Sequence, residues 1–565
     1  MRADETGFPL NRRSFLGATA VTAGAVAAGP LLAACGTAPG TTGTTSASQL
    51  AKILPAYVPS TLVRPDIPSV NGSDPGYLTY PGNLVRTVSE VPGAGGSYTT
   101  ITPLWGAIPP AHGNGYYAAM NQALGADLSI NPSNGNTYAN ILPPLFAANK
   151  LPDWIQIPSY MTGSLNFGQA VAAKFADLTP YLSGNNIKKY PNLASIGSSA
   201  WQAAVWNNKI YGIPSYPSNV VLAGMIYYRA DILAKLGIGT PDIRSAADLL
   251  ALGKELNDPK RNRWAFDDLM TYLHQPFGVA NTPPEWTQND KGDLVSCWET
   301  EQIIEAMNWE YSYYKAGLMN PQAIALNTNT AKQRFYSAQN VITGDGSGAW
   351  NGTDALAGKA ANPSYLRMAL PPFTASGTGR PTYAMQDGAN LFSYLNKSLS
   401  KSQIEECLRI ANYLAAPFGS QEYTLANFGR KSVDWMPSAN GPVPTAAGSK
   451  YVATTFEFLA SAPSVNSVQS GYTDVVRAIA AWQQNAYKYL YKPLFYDMNI
   501  TIPPSLNVAM TAAQFTTSTG NTITDVCRGR ATIAQYRAEV RNWQRNGGNA
   551  LRRFFEGIRT KYGDA

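Results

Sequence analysis

Between residues 98 and 157, β-branched apolar runs alternate with runs of helical period, and this alternation restricts the fold more than any other feature of the chain. Residues 98–105 read as a strand, 115–124 as a helix, 126–130 as a second strand, 138–149 as a helix and 153–157 as a third strand. That order predicts an α/β fold with a mainly parallel, doubly wound sheet, because right-handed crossovers lay each helix over the sheet. A second set begins after residue 217. Residues 220–228 read as a strand, 230–236 as a helix stopped by Gly237, and Ser245-Ala-Ala-Asp248 opens another helix with capping-box spacing. Ile303, Ile304, Met307, Tyr311 and Tyr314 share one face of a further helix. Residues 473–491 and 532–562 are helical again, with Gly547-Gly548 dividing the last two helices. The roughly 470 residues beyond the N-terminal region exceed what one core holds, so two lobes are expected.

The chain starts with a targeting segment. Arg2, Arg12 and Arg13 precede an uncharged stretch rich in Ala and Gly that ends Leu32-Ala33-Ala34-Cys35. Arg12 and Arg13, followed by Ser14-Phe15-Leu16, look like a twin-arginine export motif. The stretch is too short and too rich in Gly to span a bilayer, which takes roughly 20 strongly apolar residues. Leu-Ala-Ala-Cys resembles the bacterial lipobox, so residues 1–34 are expected to be cleaved as a lipoprotein signal peptide and Cys35 to carry the lipid, including palmitate. Two or more acyl chains anchor a protein stably where one does not. The location expected is the extracytoplasmic face of the cell membrane. Residues 36–48 have no charge and no large apolar side chain and read as a flexible tether. A Pro-rich arm follows, so 35–94 form one tether-and-arm region.

Composition excludes several functions. Removing three Arg and two acids with the signal leaves 40 basic and 34 acidic side chains of the original 43 and 36, net +6. No basic cluster of the kind that tracks nucleic acid is present. Charged residues are 14%, against about 25% in ordinary soluble domains. The 32 Tyr and 12 Trp suit neutral polyhydroxylated ligands, because aromatic faces stack on sugar C–H surfaces, although such rings equally serve a stable exported fold. Cys297, Cys407 and Cys527 are odd in number and far apart, so no disulfide framework is implied, and Cys407 falls in the apolar pattern of a helix. With only His112 and His274, a His-based metal site or a Ser-His-Asp triad has almost no material. His112 is expected to cap or pack near a helix start and His274 to pack. No HExxH, GxSxG, P-loop or CxxC occurs.

Five segments in order carry a family resemblance. They are Leu151-Pro152-Asp153; Phe175-Ala-Asp-Leu-Thr-Pro-Tyr-Leu182; Asn208-Lys-Ile-Tyr-Gly-Ile-Pro214; Ile226-Tyr-Tyr-Arg-Ala-Asp-Ile-Leu233 with Leu236-Gly237 and Pro241; and Trp543 with Gly547-Gly548. Together, across about residues 101–562, they resemble the bacterial extracellular solute-binding proteins (family 1) of ABC importers, in the large carbohydrate-binding lipoprotein branch. The resemblance implies a periplasmic-binding-protein-like fold of two lobes that close on ligand about a hinge. Lobe one would hold 95–217 and 385–430, and lobe two 218–384 and 431–565. The crossings would fall at 211–219, near 385–388 and at 429–437. It also implies a small-molecule carbohydrate ligand, ABC permease subunits as partners, a monomer and no cofactor.

In open sheets of this kind, ligands bind beyond the C-terminal strand ends. The ligand-binding candidates are therefore Trp105, Tyr160, Tyr216, Trp286, Trp350, Asp387 and Trp435, each with burial in ordinary packing as the competing outcome. Asp354 and Asp387 are possible hydroxyl acceptors, Asp387 the better. Some members of the family carry a calcium loop where this chain has residues 258–268, but the basic residues there and the lack of a Gly oppose a divalent cation, so no metal is expected. The leading function is capture of a sugar or oligosaccharide for an importer, without catalysis. An exported polysaccharide-active enzyme with paired carboxylates and a surface sugar sensor stay open as alternatives.

Overall fold

The computed structural model describes residues 43–60, 62–222, 224–280, 286–324, 328–350, 352–438, 441–467, 475–511 and 522–563. Arg12, Arg13 and Cys35, with the signal peptide and most of the tether, lie outside the described residues. Strands β1 (Ser97–Leu104), β2 (Asp127–Asn134), β3 (Trp154–Pro158) and β4 (Gly212–Ser215) belong to a first sheet, and β5 (Met225–Arg229), β6 (Trp264–Phe266), β7 (Asn340–Asp345) and β8 (Arg367–Ala369) form a second. Strand β9 (Leu391–Leu395) returns to the first sheet, whose order is β2-β1-β3-β9-β4; the second runs β8-β5-β7-β6.

Each sheet is mainly parallel with one reversed strand: four of the five strands of the first and three of the four of the second run the same way. In the first, β1 pairs in parallel with β2 and β3, but β9 is antiparallel to β3 and β4. In the second, β7 and β6 are parallel, and β5 is antiparallel to both β7 and β8. The cause is connectivity. β5 and β9 are the strands that the chain enters straight from a crossing between the sheets, so each starts at the edge where its neighbours end. All the other strands run toward that shared edge. The C-terminal ends of β1 to β4 and of β6 to β8 therefore flank the same crossings.

Local sequence explains the elements. Helix α1 (Gly115–Leu124) is capped by Asn114, whose side chain accepts from the Tyr116 and Tyr117 N–H groups at 3.0 and 3.2 Å, and it stops at Gly125 with φ +64°. The cap is thus Asn114, while His112 is exposed; His274 is buried. Helix α2 (Ala246–Leu256) opens with the Ser245/Asp248 capping box. In helix α3 (Glu301–Lys315) the buried stripe continues through Glu310 and Tyr313 rather than Tyr311, because Arg528 pairs with Glu310 at 2.6 Å inside the core. Cys407 lies buried in helix α4 (Lys401–Leu414), and Cys297 and Cys527 are buried thiols. Helix α5 (Val475–Ala486) packs with Tyr227, Trp350 and Tyr383 of the second lobe. Near the C-terminus Gly547, at φ +134°, breaks the helix before α6 (Asn549–Tyr562).

The resembling motifs fasten the first sheet. Asp153 accepts from the Thr99 N–H and Oγ1 at 2.8 and 2.7 Å, fixing the start of β3 against β1. Asp177 accepts from the Thr179 N–H and pairs with Lys209 at 2.7 Å.

Residues 446–460 differ from their expected place. Phe456, Leu459 and Ala460 belong to the first core, and Ser215 and Ser393 both donate to carbonyls of this segment. Residues 429–437 make no crossing; Arg430 and Asp434 pair there at 2.8 Å and a hairpin follows.

Candidate functional site

Three chain segments join the lobes side by side. The Ser218 N–H donates to the Gly388 carbonyl and the Ser464 N–H to the Pro217 carbonyl, each at 2.7 Å, while Val221 bridges Gln386. The third crossing is thus 461–467. Tyr216, where the first crossing leaves β4, has φ +49°, a left-handed value that a tyrosine holds only when its surroundings over-determine it. Its N–H donates to Ser461 Oγ at 2.5 Å, the contact that fixes it. Strain of this kind concentrates where chains hinge or grip a ligand.

Above the first sheet's C-terminal edge stands an aromatic wall. Trp105 follows β1 and Tyr216 follows β4, and Phe458 touches both, with ring centroids 5.6 Å from each. Gly135 makes this possible, because a Cβ there would lie 2.6 Å from the Trp105 ring. Tyr160 follows β3 and is 60% exposed, yet enough protein surrounds its phenol to raise its pKa by desolvation. That combination fits a ring projecting into a cleft. Glu457 lies between Phe456, which packs on Tyr116 and Tyr117, and Phe458, so the segment sends one ring into the core and the other to the wall. The Glu457 carboxyl is buried, its Oε2 has no partner among the described residues, and burial raises its pKa to about 8.

The opposite edge is lined differently from expectation. Trp350 is 2% exposed; its indole donates to the Arg367 carbonyl at 3.0 Å and its ring packs on Tyr227 and Trp482. It supports the second lobe from behind. Two small pockets open on this lobe, one lined by Gln275, Gln386 and Tyr491 and the other by Tyr272 and Gln275. Tyr272 lies over Gly344 at the end of β7, where a Cβ would meet its ring at 1.9 Å. Asp387, in the second crossing, has an Oδ1 buried without a partner among the described residues, and burial first, then the Asp497 charge, raises its pKa to about 7.

Two other candidates fall elsewhere. Trp286 is buried in a hairpin against Phe555, and Trp435 is buried on its own turn, its indole donating to the Gly429 carbonyl at 3.0 Å. Asp354 is engaged by Lys332 at 2.8 Å and by the Tyr336 hydroxyl. The structure thus brings Trp105 and Tyr216 together, leaves Tyr160 and Asp387 at the same edge and crossings, and separates Trp286, Trp350 and Trp435 from them. Phe458, Tyr272, Gln275 and Tyr491 are absent from the sequence-derived set; the Phe456/Phe458 alternation was the one signal that could have pointed to the first. Among the described residues no group of three or more His, Cys, Asp or Glu could hold a metal ion, and Asp258 faces Arg261 and Arg263 at 3.5 and 3.8 Å.

The model of the bacterial extracellular solute-binding protein family matches residues 111–391. The chain belongs to that family. Its fold is that of solved ABC-transporter binding proteins. The N-glycan transport solute-binding protein of Streptococcus pneumoniae is similar at 15% identity and TM-score 0.58, over 83% of this chain and 100% of that one. The alginate-binding protein AlgQ2, in a structure without calcium, is similar at 13% identity and TM-score 0.55, over 86% and 100%. The S. pneumoniae substrate-binding protein FusA, solved with kestose, is similar at 13% identity and TM-score 0.56, over 82% and 99%. No curated protein matches the chain.

Proposed function

We propose that this solute-binding protein captures a sugar or oligosaccharide in the interlobe cleft by hinge closure and delivers it to an ABC permease, without catalysing a reaction on it. The observation that carries this reading is the wall of Trp105, Phe458 and Tyr216 with the exposed Tyr160 beside it, at the strand ends that border three crossings. Such rings stack on the C–H faces of sugar rings, while Gln275, Gln386 and Asp387 supply hydroxyl partners. The similar proteins described as binding alginate or kestose or transporting N-glycan support the ligand class. Export through Arg12 and Arg13 and lipidation of Cys35 would hold the monomeric protein at the extracytoplasmic face of the cell membrane, close to its permease.

Incubating the soluble domain with a panel of neutral oligosaccharides tests this. A thermal shift with at least one member and no new reducing ends is expected; new reducing ends, or no shift with any member, refutes capture.

A further inference from the structure

Residues 73–77, part of what the sequence presents as a loose arm, lie against the third crossing. Gly76 and Tyr77 pair in parallel with Asn466 and Ser467, and the Asn466 N–H donates to the Pro75 carbonyl at 2.9 Å. Asp74 lies two residues before this pair. Its carboxylate accepts from Ser218 Oγ at 2.6 Å and from Gln483 Nε2 at 3.0 Å, and its N–H donates to Gln483 Oε1 at 3.2 Å. Asn466 Nδ2 donates to the same Gln483 oxygen at 2.8 Å. One arm side chain thus holds the first crossing and helix α5 of the second lobe, beside the third crossing.

The arm's other fastenings are divided between the lobes. Beyond Asp74 it is fixed to the first lobe: Tyr77 and Tyr80 pack on Phe418, the Thr87 and Val88 N–H groups donate to Glu422 at 2.9 and 2.8 Å, and those of Ala94 and Gly96 donate to Glu406 at 2.7 and 3.0 Å. Before Asp74, Gln484 of α5 donates to the Pro68 carbonyl at 3.2 Å. Further back Thr45 exchanges backbone hydrogen bonds with Asn499, next to Met498 of the second core, at 2.7 and 3.0 Å. Thr45 Oγ1 accepts from the Asn208 N–H of the first lobe at 3.0 Å.

We propose that residues 43–94 are a strap across the hinge, with Asp74 as its latch. A segment clamped to the first lobe along 77–94 and bonded to helix α5 of the second at Gln483 and Gln484 has to stretch or release when the lobes rotate, so its bonds bias the hinge toward the arrangement in which they are made. Asp74 is the point where arm, crossing and second lobe meet in one carboxylate. The inference concerns the hinge itself and stands whether or not the ligand is a sugar.

The test needs no ligand. Soluble protein beginning at Gly36, carrying Ser402→Cys on the first lobe and Lys254→Cys on the second, is spin-labelled and its interlobe distances are measured by pulsed electron resonance. Both positions are exposed and the native thiols described are buried, so the label goes to the introduced pair. Asp74→Ala is expected to broaden the distance distribution, Ser218→Ala to broaden it less, and Asp66→Ala, whose carboxylate accepts within the arm from Leu78, to leave it unchanged. Distributions for Asp74→Ala and Ser218→Ala that superimpose on the parent overturn the strap. Should Asp74→Ala fail to fold, Ser218→Ala decides by the same criterion.

Discussion

Replacing Glu457 with Gln should stabilise the protein at alkaline pH and leave it nearly unchanged in acid. Glu457 is 2% exposed, and burial lifts its pKa from an ordinary 4.5 to about 8 in the folded chain. The nearby phenols of Tyr116, Tyr117 and Tyr216 are also raised by burial and stay neutral across this range. A carboxyl whose folded pKa exceeds its unfolded one binds more proton in the native state between those values. Unfolding free energy therefore falls as pH rises from about 4.5 to about 8, and is flat beyond. At about 1.4 kcal/mol per pH unit the loss is on the order of 5 kcal/mol, the cost of ionising a buried group without a counter-charge. Gln keeps the shape and carries no charge. Urea midpoints of both proteins measured across that window should coincide at the acid end and diverge toward the alkaline end, with Gln the more stable. Glu310 titrates in both proteins and cancels in the difference. A difference that does not grow with pH, or a Gln variant weaker at the alkaline end, would show that Glu457 finds a partner when ionised and would refute the reasoning.

Trp105→Ala removes one face of the aromatic wall and should weaken oligosaccharide binding by about 1 kcal/mol, roughly fivefold in Kd by titration calorimetry, with little change in melting temperature because the ring is only half-buried. Arg528→Ala leaves Glu310 and Asp268 without the guanidinium that meets each at 2.6 Å and should destabilise the second lobe by about 3–5 kcal/mol in denaturant titrations. Cys35→Ala should move the protein from the membrane to the soluble fraction while leaving ligand affinity unchanged; retention in the membrane would refute lipidation at Cys35.

How far the sequence could be read depends on whether a feature is local. Helix α1, the Ser245 cap, the Gly547 break and the buried Cys407 follow from neighbours within a turn or two, and they stand where periodicity puts them. Strand direction is different. β9 pairs with β3 and β4, far away in sequence, and its antiparallel sense comes from the route of the chain between lobes, which no alternation pattern encodes. The site divides the same way. Trp105, Tyr160 and Tyr216 stand near the crossings, where each follows the end of a strand. Trp350 also follows such a strand, β7, but Arg367 and Trp482 bury it, and those partners come from β8 and α5.

The same distinction explains why the arm escaped a sequence reading and why the hinge is more constrained than three crossings alone would make it. Its Pro residues remove donors and hold the chain extended, which in isolation describes a spacer. Extended chain is also what adds to an edge, and Gly76-Tyr77 does so on Asn466-Ser467 once the third crossing is in place. Asp74 is then half-buried, and desolvation raises its carboxyl to about 6 against the lowering bonds from Ser218 and Gln483. A polar group in such a place is stable only while its partners stay put, because losing either leaves a desolvated acceptor unmatched. Tyr216 N–H on Ser461, Ser218 N–H on Gly388 and Ser218 Oγ on Asp74 form one connected set. Rotation that disturbs one of these bonds loads the others, so lobe closure and arm attachment are coupled through Ser218.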